Sequence, residues 1–225
     1  DMHTHQLVAL KSLLDSRRQE PDQLQRFVKE IETVSQLKHP GIVSVLDYGV
    51  DEDSAFFTMP VFRGGDLREK IDHGLPLLDA IRIIKEIAQA LAFAHDHGLI
   101  HRDIKPENIL FDESGKALLV DFGLVRCISG DTRLTQTGVA VGSPHYMSPE
   151  QSRGCEELDC RSDLYSLGVV FYEMLTQTPP FEAENIYGLI MHHNNSSIPR
   201  LPGAYSGCQL VIDRLMAKQP DDRFQ

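Results

Sequence analysis

The sequence predicts an α+β chain built as a small strand-rich lobe followed by a larger helical lobe. Two observations point there. Short runs of aliphatic, β-branched and aromatic residues occupy the first 62 positions, with a helical repeat between them. After Gly64-Gly65 helical spacing takes over, and it includes a nearly continuous apolar helix from Asp163 to Leu175. At 225 residues the chain is long enough for one large domain or two small lobes around a cleft.

Leu7 to Leu10, Ile42 to Val50 and Ala55 to Val61 are bounded by turn formers and read as strands. From about Gln23 to Leu37, the apolar residues Leu24, Phe27, Ile31 and Val34 recur at three- and four-residue steps, one face of a helix. In the second lobe Ile81, Ile84, Ala88 and Leu91 keep helical spacing, and Gly98 is placed to end that helix. Asn108 to Phe111 and Ala117 to Val120 flank an Asp-Glu-Ser-Gly turn and predict a hairpin. The helix from Asp163 to Leu175 has too few polar residues for a surface element and should be the buried centre of its lobe.

Composition narrows the function classes. Hydrophobic content of 41% and charged content of 24% fit a packed globular protein. A formal net charge of −11 argues against a general nucleic-acid binder, which needs basic patches to neutralise phosphates. Cys127, Cys155, Cys160 and Cys208 form no CxxC pair and read as free thiols. His95, His97 and His101, and His192 with His193, lack the ligand spacing of a metal site and read as solvated or core histidines.

The strongest chemical signal is His101-Arg102-Asp103-Ile104-Lys105-Pro106-Glu107-Asn108. Phosphoryl transfer to a hydroxyl needs a carboxylate to orient the nucleophile and take its proton. It also needs a cation near the moving phosphoryl group and oxygen ligands for Mg²⁺. Asp103, Lys105 and Asn108 supply one of each on a loop between a helix and a hairpin. Asp121-Phe122-Gly123 follows the second hairpin strand. Its carboxylate can chelate Mg²⁺, and Gly123 lets the backbone turn sharply.

On these motifs the chain resembles the eukaryotic-type (Hanks-type) protein serine/threonine kinase family, closest in look to its bacterial members, from Val8 to Arg223. The resemblance implies one catalytic domain of bilobal protein kinase-like fold. Residues 1–62 would be a partial N-lobe with the hinge, and residues 63–225 the helical C-lobe. Val8-Ala9-Leu10-Lys11 is similar to the strand whose lysine holds the α- and β-phosphates of ATP. Glu30 fits that lysine's helix partner; Glu32, about 200° round the same helix, should face solvent. Met59 would guard the back of the adenine pocket, with Pro60 to Phe62 as the hinge. Many relatives carry an acidic residue where Pro60 stands. Only the Pro60 carbonyl and the Phe62 N–H are needed for adenine, so proline is tolerated.

Gly142 to Glu150 (Gly-Ser-Pro-His-Tyr-Met-Ser-Pro-Glu) is similar to the end of the family's activation segment, with Ser143 and Ser148 replacing threonine and alanine. By the resemblance, the Ser143 hydroxyl bridges Asp103 and Lys105 and, with Lys105, marks Ser/Thr specificity. Glu150 pairs with Arg223, and Asp163 braces the catalytic loop backbone. Arg102 beside the catalytic aspartate implies control by phosphorylation. Thr132, Thr135 and Thr137 are the candidate acceptors, Thr135 and Thr137 the preferred autophosphorylation sites.

The resemblance further implies ATP and Mg²⁺ as cofactors and Ser/Thr-bearing proteins as substrates, with a second copy as a candidate partner in autophosphorylation. No nucleic acid or membrane contact is expected within the chain, and a cytoplasmic location is, with a tether outside these residues left open. No GxGxxG stretch occurs, and only ten residues precede Lys11. Both ends look cut from a longer polypeptide. Two explanations stand: a fragment of an active enzyme, inactive by itself, or a degenerate pseudokinase acting as a binding module. The fragment is favoured because Lys11, Asp103 and Asn108 are all present. A small-molecule phosphotransferase is disfavoured by the complete segment from Ser143 to Glu150.

Overall fold

A computed structural model describes residues 7–14, 21–50, 54–122, 144–155 and 158–225. Strands β1 (Val8–Leu14), β2 (Asp47–Val50) and β3 (Ser54–Pro60) form an antiparallel sheet in the order β1-β3-β2. The register puts Lys11 opposite Phe57 and Ala9 opposite Met59. Helix α1 (Pro21–Gln36) buries Ile31 and Val34 in the same core as Ala55 and Phe57, and leaves Glu32 exposed. Leu24 and Phe27, read as part of that face, fall outside the described side chains.

The expected strand from Ile42 to Val50 is regular only over Asp47–Val50. Its first part leaves the sheet to join the larger lobe. Leu119 N–H donates to the Gly41 carbonyl at 2.8 Å, and Val43 N–H donates to the Leu119 carbonyl at 2.9 Å. Ladder partners from another element, not propensity, decide where that strand starts.

The helical lobe runs α2 (Leu67–His73), α3 (Leu77–Asp96), the hairpin β4 (Ile109–Phe111) and β5 (Ala117–Leu119), α4 (Pro149–Ser152), α5 (Arg161–Thr176), α6 (Ile186–Asn195) and α7 (Gln209–Leu215). Helix α3 ends as expected: Gly98 adopts a φ of 74° and donates to the His95 carbonyl. Its buried face differs from the expected one. Ala80, Ile83, Ile87, Ala90, Leu91 and Ala94 are buried, whereas Ile81 and Ala88 are exposed. The helix carries apolar residues around more than half its circumference, so spacing alone admits two stripes. The alanine-bearing stripe faces inward because it lets helices approach closely.

Helix α5 is the buried centre that its composition predicts, with thirteen of its sixteen residues buried. A Cβ on Gly168 would lie 2.8 Å from the Leu215 and Met216 side chains, so only glycine permits this approach of α7. Two carboxylates lie in this apolar helix, Asp163 and Glu173, at 1% and 3% exposure. Such groups need partners, and both find them at the candidate site.

Candidate active site

The loop from His101 to Asn108 leaves α3, passes beneath the N-terminal end of α5 and enters β4. Asp163 anchors it. Its Oδ2 accepts the His101 N–H and the His95 Nε2–H, both at 2.8 Å, and its Oδ1 accepts the Arg102 N–H at 2.8 Å. Arg102 therefore sits at a φ of 66°, a left-handed conformation that costs a non-glycine residue about 1–2 kcal/mol. Gln151 Nε2, from α4, donates to the Arg102 carbonyl at 2.9 Å and clamps the next peptide unit, on the other side of the same residue.

His101 is fully buried. Its Nε2–H donates to the Val120 carbonyl at 2.9 Å, its Nδ1 accepts the Asp103 N–H at 3.3 Å, and its ring lies 4.7 Å from that of Phe122. Burial lowers its pKa despite the nearby Asp163 carboxylate, so the ring is a neutral strut between the catalytic loop and the strand before Asp121.

These anchors present the chemistry-bearing side chains together. Asn108 Nδ2 donates to the Asp103 carbonyl at 2.8 Å and to Asp103 Oδ2 at 3.0 Å. Lys105 Nζ lies 3.1 Å from the same carboxylate oxygen. The Val120 N–H donates to the Asn108 carbonyl at 3.0 Å, which brings Asp121 beside the loop. Asp121 adopts a φ of 63° and pairs through Oδ2 with Lys11 of β1, across 110 residues of sequence. Its Oδ1 is buried and has no hydrogen-bond partner among the described residues.

This set can orient a hydroxyl at Asp103 and place a cation, Lys105, beside it. The unpartnered Asp121 oxygen and the Asn108 amide offer hard oxygen ligands of the kind Mg²⁺ prefers. The donor set fits such an ion.

The structure thus gathers Lys11, Asp103, Lys105, Asn108 and Asp121 at one place. Glu30 is half-buried on α1. Met59, at the end of β3, packs against Val43, Leu118 and Val120, as does Phe62; Pro60 ends the strand. Glu150 and Arg223 meet as expected, Nη1 to Oε1 at 2.6 Å and Nη2 to Oε2 at 2.8 Å. Gly123, Thr132, Thr135, Thr137 and Ser143 lie outside the described residues, as does Cys127. Cys155, Cys160 and Cys208 are free thiols.

One network escaped sequence reasoning. Arg68 at the start of α2 donates from Nη1 to Glu173 Oε1 at 2.9 Å, from Nε to Glu107 Oε1 at 3.3 Å, and from Nη2 to the Tyr146 hydroxyl. That hydroxyl donates to Glu173 Oε2 at 2.7 Å. The available signal was Glu173 itself, a carboxylate within an apolar helix.

Comparison with known proteins points the same way. The family described as "Protein kinase domain" matches residues 1–225. The chain is 37% identical to serine/threonine-protein kinase PknB of Mycobacterium leprae, covering all of this chain and 38% of that protein. It is 36% identical to a probable serine/threonine-protein kinase PknB of Lactococcus lactis, over 97% of this chain and 35% of that protein. It is 35% identical to serine/threonine-protein kinase PrkC of Bacillus subtilis, over 97% of this chain and 34% of that protein. The chain therefore spans little more than a third of the length of these relatives. With a family match over its whole length and the loop geometry above, the chain belongs to the protein kinase domain family.

Proposed function

We propose that this protein is a serine/threonine protein kinase that transfers the γ-phosphoryl group of Mg·ATP to hydroxyls of protein substrates. The observation that carries the reading is the convergence of Asp103, Lys105, Asn108, Asp121 and Lys11 from three separated stretches of chain. Asp103 orients the acceptor hydroxyl and takes its proton, while Asn108 and Lys105 keep its carboxylate aimed. Lys11 holds the α- and β-phosphates, with Glu30 as its helix partner. Mg²⁺, held by Asp121 and Asn108, supplies charge neutralisation of the phosphates when bound. Residues 1–62 form the smaller lobe and hinge, residues 63–225 the larger lobe, and adenine lies against Met59 with bonds to the Pro60 carbonyl and the Phe62 N–H.

Arg102 supports control by phosphorylation. Its Nε is buried and has no hydrogen-bond partner among the described residues, so the side chain holds a donor that a phosphate could use. Thr135 and Thr137 are the proposed autophosphorylation sites, and Ser143 the hydroxyl that joins Asp103 and Lys105. A second copy of the protein is the proposed partner in autophosphorylation. A cytoplasmic location is proposed for this domain. No helix among the described residues is long and apolar enough to cross a membrane.

The test is incubation of the full protein with Mg·ATP and a generic serine- and threonine-bearing protein substrate. Phosphoserine and phosphothreonine are expected, and Asp103→Asn should abolish them. Transfer that survives Asp103→Asn unchanged would overturn the reading. Intact mass after incubation with ATP, with Thr135 and Thr137 both replaced by alanine, tests the acceptor sites; unchanged phosphate incorporation would rule them out.

A further inference from the structure

The Arg68 network adjoins the His101–Asn108 loop, and its charges are unequal: two carboxylates, Glu107 and Glu173, are hydrogen-bonded to one guanidinium, with the exposed Asp72 a third at 3.9 Å. The two acids differ in access. The Glu173 side chain is 5% exposed and is held by Arg68 and by the Tyr146 hydroxyl, whereas that of Glu107 is 45% exposed. Burial is the largest single influence and works against the Arg68 charge, but the bonds to Glu173 and Glu107 together with the electrostatic pull of Glu173 and Tyr146 outweigh it and raise the guanidinium pKa further. The Tyr146 phenol is pushed up by burial and by the Glu173 charge, so it stays a neutral donor.

The position of this pair gives it a meaning for substrates. Glu107 follows Asp103 by four residues in the same loop, so its Cα lies no more than about 14 Å from that of Asp103. Tyr146 belongs to the segment that leads into α4, whose Gln151 clamps the Arg102 peptide. A peptide reaching Asp103 therefore passes the mouth of the Glu107–Glu173 pair within a few residues of its acceptor. Two converging carboxylates are a site for a basic side chain. Here that site is filled from inside the protein.

We propose that Arg68 is a specificity-determining residue: by occupying the Glu107–Glu173 pair it denies that pair to arginine and lysine side chains of the substrate. The inference rests on the protein kinase reading above. Discrimination arises from an occupied site, a form of selection against the wrong partner. Removing Arg68 exposes two carboxylates at the rim and should turn an indifferent surface into one that selects basic peptides.

The experiment uses fluorescently labelled serine peptides in pairs that differ by one residue, arginine or alanine. The arginine is placed in turn at each of three positions on either side of the serine. Binding to the full protein is read by anisotropy, and phosphate transfer is followed separately. In the parent, each pair should bind within about twofold. In Arg68→Ala, and equally in Arg68→Met, which keeps the apolar stem, at least one arginine peptide should bind about fivefold tighter than its twin. Adding Glu107→Gln should return the ratio to that of the parent. A loss of packing common to both peptides cancels in the ratio. Folded Arg68 variants with unchanged ratios would overturn the proposal. So would Glu107→Gln alone weakening arginine peptides in the parent, since the pair would then already be open, a result that needs no Arg68 variant. Because binding is read without turnover, a shifted ratio without phosphate transfer supports this proposal while counting against the enzymatic one.

Discussion

Asp163 Oδ1 accepts the Arg102 N–H at 2.8 Å, and this bond holds a non-glycine residue in the left-handed region one position before Asp103. The loop's aim is thus set from α5. Asp163→Ala leaves two backbone N–H groups and the His95 ring without their acceptor. It should lower stability by about 2–4 kcal/mol and phosphate transfer by about 10²-fold, because Asp103 loses its orientation. Asp163→Asn, which keeps one acceptor oxygen, should fall between. Urea unfolding and initial rates measure the two effects. A folded Asp163→Ala protein with full activity would separate Asp163 from the aim of Asp103.

Asp103→Asn should reduce transfer by about 10²–10⁴-fold, the usual contribution of a positioned proton acceptor, while changing stability by less than about 1 kcal/mol. Asn108→Ala removes the amide that bonds the Asp103 carbonyl and carboxylate. It should also raise the Mg²⁺ concentration needed for half-maximal rate by about tenfold. A magnesium titration that shifts in neither variant would argue against Asn108 as a ligand.

The pair between Glu150 and Arg223 ties α4 to the end of the chain, and Arg223 is fully buried. Arg223→Ala should cost about 3–5 kcal/mol, since it strands a carboxylate in a half-buried site. Burial alone would raise the Glu150 pKa, but the bonds from Arg223 and Ser162 outweigh it and leave it lowered. A lowered carboxyl pKa stabilises the fold fully above the ordinary carboxylate range, near pH 4.5. That contribution is lost as pH falls through the lower folded value. Melting temperatures below pH 4.5 should therefore drop less steeply in Glu150→Gln than in the parent.

His193 on α6 contributes in a different window. Burial first, and then the Lys218 charge, bring its pKa down to about 3. The unfolded chain binds a proton near pH 6.5, and the folded one does not until about pH 3. Stability should fall as pH drops between those values. His101, also lowered by burial, adds to the same slope. His193→Gln should remove part of the loss as pH falls from 6.5, in the upper part of which range the Glu150 carboxyl is ionised in folded and unfolded chain alike. Equal slopes in parent and variant would show that the ring titrates freely in the fold.

Much of this was legible in the chain. The helix ending at Gly98, the hairpin around Asp112 to Gly115 and the buried helix from Asp163 follow from local periodicity and turn chemistry, which act over a few residues. The meeting of Asp103, Lys105 and Asn108 follows likewise, because they lie within six positions of one loop. The inward face of α3 was not legible: apolar residues on two stripes satisfy the same pattern, and only contact with α5 and β5 chooses between them. The strand break before Asp47 was equally hidden, since Leu119, far along the chain, supplies the competing hydrogen bonds.

By itself, the sequence determined the two-lobed α+β class, the order of the motifs and the side chains proposed to carry the chemistry. It also placed two carboxylates, Asp163 and Glu173, within the apolar run of one helix. What the tertiary structure alone decided is which partners those carboxylates meet. The Asp163 bonds join residues 61, 62 and 68 positions apart, the Arg68–Glu173 bond spans 105 and the Lys11–Asp121 bond 110. Burial demands that a charge be paired, but packing of distant elements chooses its partner. For that reason Arg68, an ordinary helix residue in the sequence, stands between Glu107 and Glu173 in the fold.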